Sequence, residues 1–164
     1  MRYYLVGYMY AGKSTYGRKL ARTLNYDFVD TDRAFEQKYK LTIPMFFAKY
    51  GEELFRKLES QLLREVSTAD NVVIATGGGT PCYGDNMDFI LANGRVIYLE
   101  TTMEAILSRL AVSKNPRPLL TGKPEAEQRA IVERQLAERQ PIYARAHITL
   151  DALSPDISAF LQPC

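Results

Sequence analysis

Residues 7–14 read Gly7-Tyr8-Met9-Tyr10-Ala11-Gly12-Lys13-Ser14, the pattern G-x-x-x-x-G-K-[ST], and no other stretch constrains the fold so tightly. The pattern needs a strand that stops at Gly7 and a helix that opens at Lys13, because it turns backbone N–H groups inward with a helix N-terminus behind them. Both flanks comply. Residues 3–6 are aromatic or aliphatic, and residues 13–24 carry apolar side chains at helical spacing. Such a loop binds phosphates: Gly7, Ala11, Gly12, Ser14 and Thr15 are candidates for holding the chain of ATP, Lys13 for reaching the β- and γ-phosphates, and the Ser14 hydroxyl for ligating Mg²⁺. A plain glycine turn is the competing reading. The four fixed positions coincide by chance in well under about 1 in 100 chains of this length.

The rest of the chain alternates in the same way. Short apolar runs at 3–6, 28–30, 72–75, 96–99 and 148–150 predict five strands, and helical patterns at 13–24, 51–67 and 124–138, with weaker ones at 33–39, 43–50, 84–92, 102–110 and 154–162, predict the connections. Parallel strands need crossovers, and right-handed crossovers use helices, so the alternation predicts an α/β fold with a five-stranded parallel sheet sandwiched by helices. The 164 residues suit one domain, 1–164. Between 111 and 123 two prolines, a glycine and three cations replace periodicity, which predicts a mobile lid.

Composition removes several function classes. A net charge of +2 is too small for phosphate-backbone binding, which argues against a nucleic-acid partner. No long uncharged apolar stretch and no signal-peptide pattern occurs, so neither a membrane span nor export is expected. Cys82 and Cys164 belong to no metal-spaced pair, which points to a reducing cytoplasm.

Three further clusters suggest a second substrate. Asp30 and Asp32 flank Thr31 where the second strand ends, the end at which open α/β sheets bind ligands; an aspartate as helix N-cap before Arg33 is the alternative for one of them. Arg56 and Glu59 lie three apart on one helical face, as a surface ion pair also would. Gly77, Gly78 and Gly79 close the third strand, where bare backbone can approach a ligand.

Taken in order with Arg117-Pro118-Leu119-Leu120 and with Arg139 ahead of Pro141 and Tyr143, these clusters resemble the shikimate kinases over nearly the whole chain. The resemblance implies a P-loop kinase of nucleoside monophosphate kinase-like fold that moves the γ-phosphoryl of ATP to the 3-hydroxyl of shikimate, on the route to chorismate and the aromatic amino acids. It implies that Asp32 contacts the acceptor hydroxyl as base and that Asp30 holds Mg²⁺ through water. Arg56 and Arg139 would bind the carboxylate, with Glu59 orienting Arg56. The glycine triplet would supply backbone donors and Arg117 would close over the phosphates from within the same chain, so a monomer suffices.

Two features depart from the family or fit it loosely. The family usually has glycine where this chain has Tyr10, which carries strain of roughly 1–2 kcal/mol if its φ is positive. For the adenine, Arg109 is a candidate stacking residue and Pro155 a candidate floor, although a solvated arginine and a simple helix cap account for them equally well. A related small-metabolite kinase, such as gluconate kinase, and a nucleotide-binding switch without turnover are the alternatives.

Overall fold

The computed structural model describes residues 1–113, 120 and 122–156. The chain runs β1 (Arg2–Val6), α1 (Lys13–Leu24), β2 (Asp27–Asp30), α2 (Thr31–Tyr39), α3 (Ile43–Tyr50), α4 (Glu52–Val66), β3 (Val72–Ala75), a 3₁₀ turn (Thr80–Cys82), α5 (Asn86–Asn93), β4 (Arg95–Glu100), α6 (Met103–Val112), α7 (Glu125–Tyr143) and β5 (Ile148–Asp151). The strands form one sheet in the order β2-β3-β1-β4-β5, every pair parallel. All five strands and the sandwich are where the apolar runs predict them.

The order places β1 at the centre, and the connection that leaves it for β2 goes to the opposite side from those that reach β4 and β5. At that switch point the carboxyl ends of β1, β2 and β3 open onto one crevice, which is where such sheets take ligands. Successive side chains of a strand face opposite ways. Tyr4 and Val6 accordingly join a core with Ile74, Val96, Tyr98, Ile106, Val132 and Tyr143, while Leu5 joins Val73, Ile97 and Leu99 against Tyr16 and Leu20 of α1. Because both faces are covered, the central strands read as unbroken apolar runs.

A third cluster stands apart from the sheet. Phe35 of α2 meets Phe46 of α3 edge-on at 5.0 Å and Phe55 of α4 at 4.9 Å. Interlocked rings of this kind hold three short helices that have little sheet to lean on, and they fix the side of α4 that carries Arg56.

Several helix boundaries differ from expectation, and two of the differences, at α2 and α7, have a visible cause. α2 begins at Thr31 rather than at residue 33, because Asp30 caps it: its carboxylate accepts from the backbone N–H groups of Asp32 and Arg33, at 3.0 and 3.3 Å. α7 runs past 138 and through Pro141 to Tyr143. Proline costs most in a helix interior, but here it lies in the last turn, and the ring of Tyr143, fully buried and 5.2 Å from that of Tyr98, anchors the helix beyond it. The expected lid lies outside the described residues apart from its margins and Leu120, which is buried and whose carbonyl accepts from Gln128 Nε2 at 2.9 Å. Most of the expected closing helix, from residue 157 on, also lies outside them, as does Cys164. Among the described residues no helix is long and apolar enough to cross a membrane.

Candidate active site

The glycine loop is built as its pattern requires. Gly7 has φ +150° and packs so closely that a Cβ on it would lie 2.7 Å from the carbonyl oxygen of Leu99, and Gly12 takes φ +85° as the residue that opens α1. Side chains rarely adopt either conformation. Lys13 Nζ donates to the carbonyls of Gly7 and Tyr8, at 2.7 and 2.9 Å, so its ammonium sits over the loop. Ala11 is buried and Thr15 is exposed at the same end of α1. The Ser14 hydroxyl donates to Asp30 Oδ2, bringing one P-loop oxygen and one carboxylate together. Hard oxygen donors of this kind suit Mg²⁺, which is commonly held by one or two carboxylates plus substrate phosphates rather than by an all-protein cage. The described residues contain no group of three or more His, Cys, Asp or Glu able to hold a metal ion.

The Asp30-Thr31-Asp32 triplet divides its work by position. Asp30 ends β2, caps α2 and meets Ser14. Thr31 turns inward: its hydroxyl donates to the carbonyl of Ala75 at 3.3 Å and accepts from the N–H of Gly77 at 3.1 Å. Asp32, in the first turn of α2, faces the glycine triplet instead of continuing the strand. A Cβ on Gly77 would lie 2.8 Å from Asp32 Oδ1 and 3.2 Å from Glu59 Oε2. Two of the three glycines, Gly77 and Gly79, are therefore needed for room, whereas a Cβ on Gly78 would meet only ordinary contacts. Gly79 has an ordinary φ of −88°, yet a Cβ there would overlap the guanidinium of Arg56 at 2.5 Å. Of the backbone donors expected here, that of Gly77 is already engaged by Thr31.

Arg56 is more than a surface partner of Glu59. Glu59 is buried, Arg56 Nη1 donates to its Oε1 at 2.9 Å, and Arg56 Nε lies 3.7 Å from the exposed Glu52. Burial pushes the Glu59 carboxyl up from its ordinary value, and the Arg56 charge beside it acts in the opposite direction. Arg139 arrives from α7 on the other side of the triplet, with its Nη1 3.5 Å from where a Cβ of Gly78 would stand. Glu52, Glu53, Arg56, Gly79, Cys82, Tyr83 and Arg139 line one cleft of about 530 Å³. Two guanidiniums thus meet in a space large enough for a small polyhydroxylated acid. Cys82 and Tyr83 carry no sequence signal for this place, because only the 3₁₀ turn after the glycines brings them to the wall.

The adenine candidates fare differently. Arg109, on α6, donates through Nη1 to the carbonyl of Tyr10 and so reaches the phosphate loop. Pro155 lies past β5 and is half-buried; its neighbour Asp156 helps to raise the Tyr16 hydroxyl, which burial chiefly pushes up to about 12. Ala152, just before this segment, packs against the core that holds Tyr16 and Leu20 of α1. Arg117 lies outside the described residues.

The sequence model of the family described as shikimate kinase matches residues 9–160. The chain belongs to the shikimate kinase family. A shikimate kinase of Parabacteroides distasonis is 43% identical over 151 residues, 92% of this chain and 87% of that one. The crystal structure of shikimate kinase from Bacteroides thetaiotaomicron superposes with a TM-score of 0.88 at 39% identity, over 93% of this chain and 86% of that one. That of the Acinetobacter baumannii shikimate kinase in complex with shikimate gives a TM-score of 0.87 at 38% identity, over 98% and 90%. As a member of the shikimate kinase family, the chain is an ATP-dependent phosphotransferase with shikimate as acceptor.

Tyr10 takes a φ of +65°, the positive value at which strain is expected. Its side chain is half-buried against the core that holds Tyr8 and Tyr143. An L-residue in this conformation costs about 1–2 kcal/mol, so Tyr10→Gly should fold normally and raise kcat/KM for ATP by up to about ten-fold. Steady-state kinetics check it, and a fall instead would show that the ring makes a useful contact with the nucleotide.

Proposed function

We propose that the chain phosphorylates the 3-hydroxyl of shikimate with Asp32 as the base and Arg56 and Arg139 as the carboxylate clamp. The observation that carries this reading is the cleft itself. Arginines from two separate helices, α4 and α7, line it at Gly79 and Gly78, and Asp32 lies at the neighbouring Gly77, at the carboxyl end of the strand that adjoins the P-loop. A planar guanidinium can donate two parallel hydrogen bonds to a carboxylate. Two of them at one end of a small cleft orient the ring, so that one hydroxyl is presented to Asp32.

Phosphoryl transfer asks the protein for alignment and for positive charge around the moving group. Lys13 and Arg117 carry that charge, with Gly7, Ala11, Gly12 and Thr15 shaping the phosphate cradle and Arg109 and Pro155 at the base. Asp32 takes the proton of the 3-hydroxyl as its oxygen bonds to the γ-phosphorus, and ADP leaves with the electrons of the broken bond. Mg²⁺, when bound, neutralises phosphate charge; Ser14 and Asp30 are the oxygen donors that fit it. Glu59 fixes the fork of Arg56, and Gly77, Gly78 and Gly79 leave room for the acceptor at the wall. A monomer suffices, since every assigned group comes from one chain, and a reducing cytoplasm suits its cysteine usage.

The direct test is ADP release by the purified protein offered shikimate, quinate, gluconate or AMP. Release should depend on the acceptor and be fastest with shikimate. Equal release with no acceptor, or a preference for gluconate or AMP, would refute the assignment.

A further inference from the structure

Tyr8 occupies one of the free positions of the G-x-x-x-x-G-K-S pattern, and phosphate chemistry has no use for its side chain. The structure nevertheless buries the ring almost completely, at 1% exposure. It packs against α7. The guanidinium of Arg139 lies over the ring, 5.6 Å from its centroid, and the phenol hydroxyl donates to Gln135 Oε1, in the turn of α7 before Arg139. One turn after Arg139, the hydroxyl of Tyr143 donates to the carbonyl of Gly78. Burial pushes this hydroxyl well above its ordinary value, so it remains a donor throughout the neutral range. Residues 135, 139 and 143 form a single stripe of the helix. All three members of the stripe bear on the two glycine loops.

We propose that Tyr8 is a positioning residue for the acceptor site: its ring and its tether to Gln135 hold the Arg139 guanidinium against Gly78, tying the phosphate loop to the carboxylate clamp. This rests on the proposed role of Arg139. The guanidinium donates to the Tyr143 hydroxyl on one side, and Tyr8 holds it from the other. The ring face attracts the cation, and the Gln135 hydrogen bond fixes the ring's height against the helix. Without the ring, Arg139 has rotamer freedom to lose when the acceptor carboxylate arrives, and that loss weakens binding of the acceptor rather than of ATP.

The test compares Tyr8→Leu, Tyr8→Phe and Arg139→Lys on shikimate and on the acceptor whose carboxylate is replaced by an uncharged amide. Removal of a partly desolvated cation–π contact should raise the KM for shikimate about ten-fold in Tyr8→Leu. Tyr8→Phe keeps the ring face and loses only the tether, so its KM should rise about two- to three-fold, and thermal melting should show both variants folded. The KM for ATP should move far less. Because the effect travels through Arg139, the penalty should vanish on the amide acceptor, and Tyr8→Leu combined with Arg139→Lys should be little worse than Arg139→Lys alone. An unchanged KM in Tyr8→Leu, an equal penalty on acid and amide, or additivity in the double variant would overturn the proposal. If Tyr8→Leu fails to fold, an unchanged shikimate KM in Tyr8→Phe does so. An Arg139→Lys variant with a normal shikimate KM would instead sink the clamp itself, so the two failures are distinguishable.

Discussion

Asp32→Asn should leave ATP binding intact and reduce kcat with shikimate by about 10²–10⁴, the usual worth of a positioned general base. The substitution keeps the shape of the side chain and removes its charge and its basic oxygen. It also keeps the backbone N–H of Asp32 that Asp30 accepts at 3.0 Å, so the cap of α2 survives. The position makes the test clean: Asp32 Oδ1 faces Gly77, whereas Asp30 is the residue joined to Ser14. A defect in the nucleotide site would appear as weaker ATP binding. Equilibrium titration with a fluorescent nucleotide and single-turnover kinetics separate the two, and a near-normal kcat would remove Asp32 from the reaction.

Arg56→Lys and Arg139→Lys should each raise the KM for shikimate by roughly ten-fold or more, since a hydrogen bond to a charged group is worth about 1.5–3 kcal/mol. Lysine keeps the charge but not the fork, so the loss reports bidentate geometry rather than net charge. The two variants should differ in one respect. Arg56 is held at 2.9 Å by the buried Glu59, and its replacement loosens the partner of a carboxylate that burial already disfavours in its charged form. Arg56→Lys should therefore also lower Tm, by a few degrees, as a loss of about 1 kcal/mol does in a domain of this size. Arg139 lies over the ring of Tyr8 and acts on Glu59 more weakly than Arg56 does, so its loss should fall mainly on kinetics. kcat should drop in both, because a misplaced hydroxyl costs rate as well as binding. Steady-state kinetics on shikimate and on its amide, alongside thermal melts, check these outcomes. Equal phosphorylation of acid and amide by the unaltered protein would end the carboxylate clamp.

Much of this architecture is legible in the residues themselves because it depends on short-range physics. The P-loop needs φ values that only glycine adopts easily and a helix start at Lys13, and both are requirements on neighbours in sequence. The central strands stand out because a parallel sheet covered on both faces demands apolar side chains at successive positions. The Asp30-Thr31-Asp32 triplet was legible as a pair of carboxylates at a strand end. That Asp30 caps α2 and turns to Ser14 while Asp32 turns to Gly77 depends on where the helix starts and on which strand lies beside β2.

Tertiary structure alone decided the rest. By spacing, Arg56 and Glu59 are an ordinary helical ion pair; they differ from one because Gly79 comes from another loop to lie on the guanidinium and Glu59 is buried beneath it. Pro141 marks a helix end in sequence, yet the burial of Tyr143 outweighs it. Tyr8 and Gln135 offer no pattern at all, one being a free position in a motif and the other a polar residue on a polar helix. Their contact spans 127 residues of chain and exists only because the parallel sheet lays α7 across the mouth of the loop after β1. Local backbone demands write themselves into adjacent residues, whereas contacts between distant segments cost the sequence only compatible surfaces, and many residue types provide those.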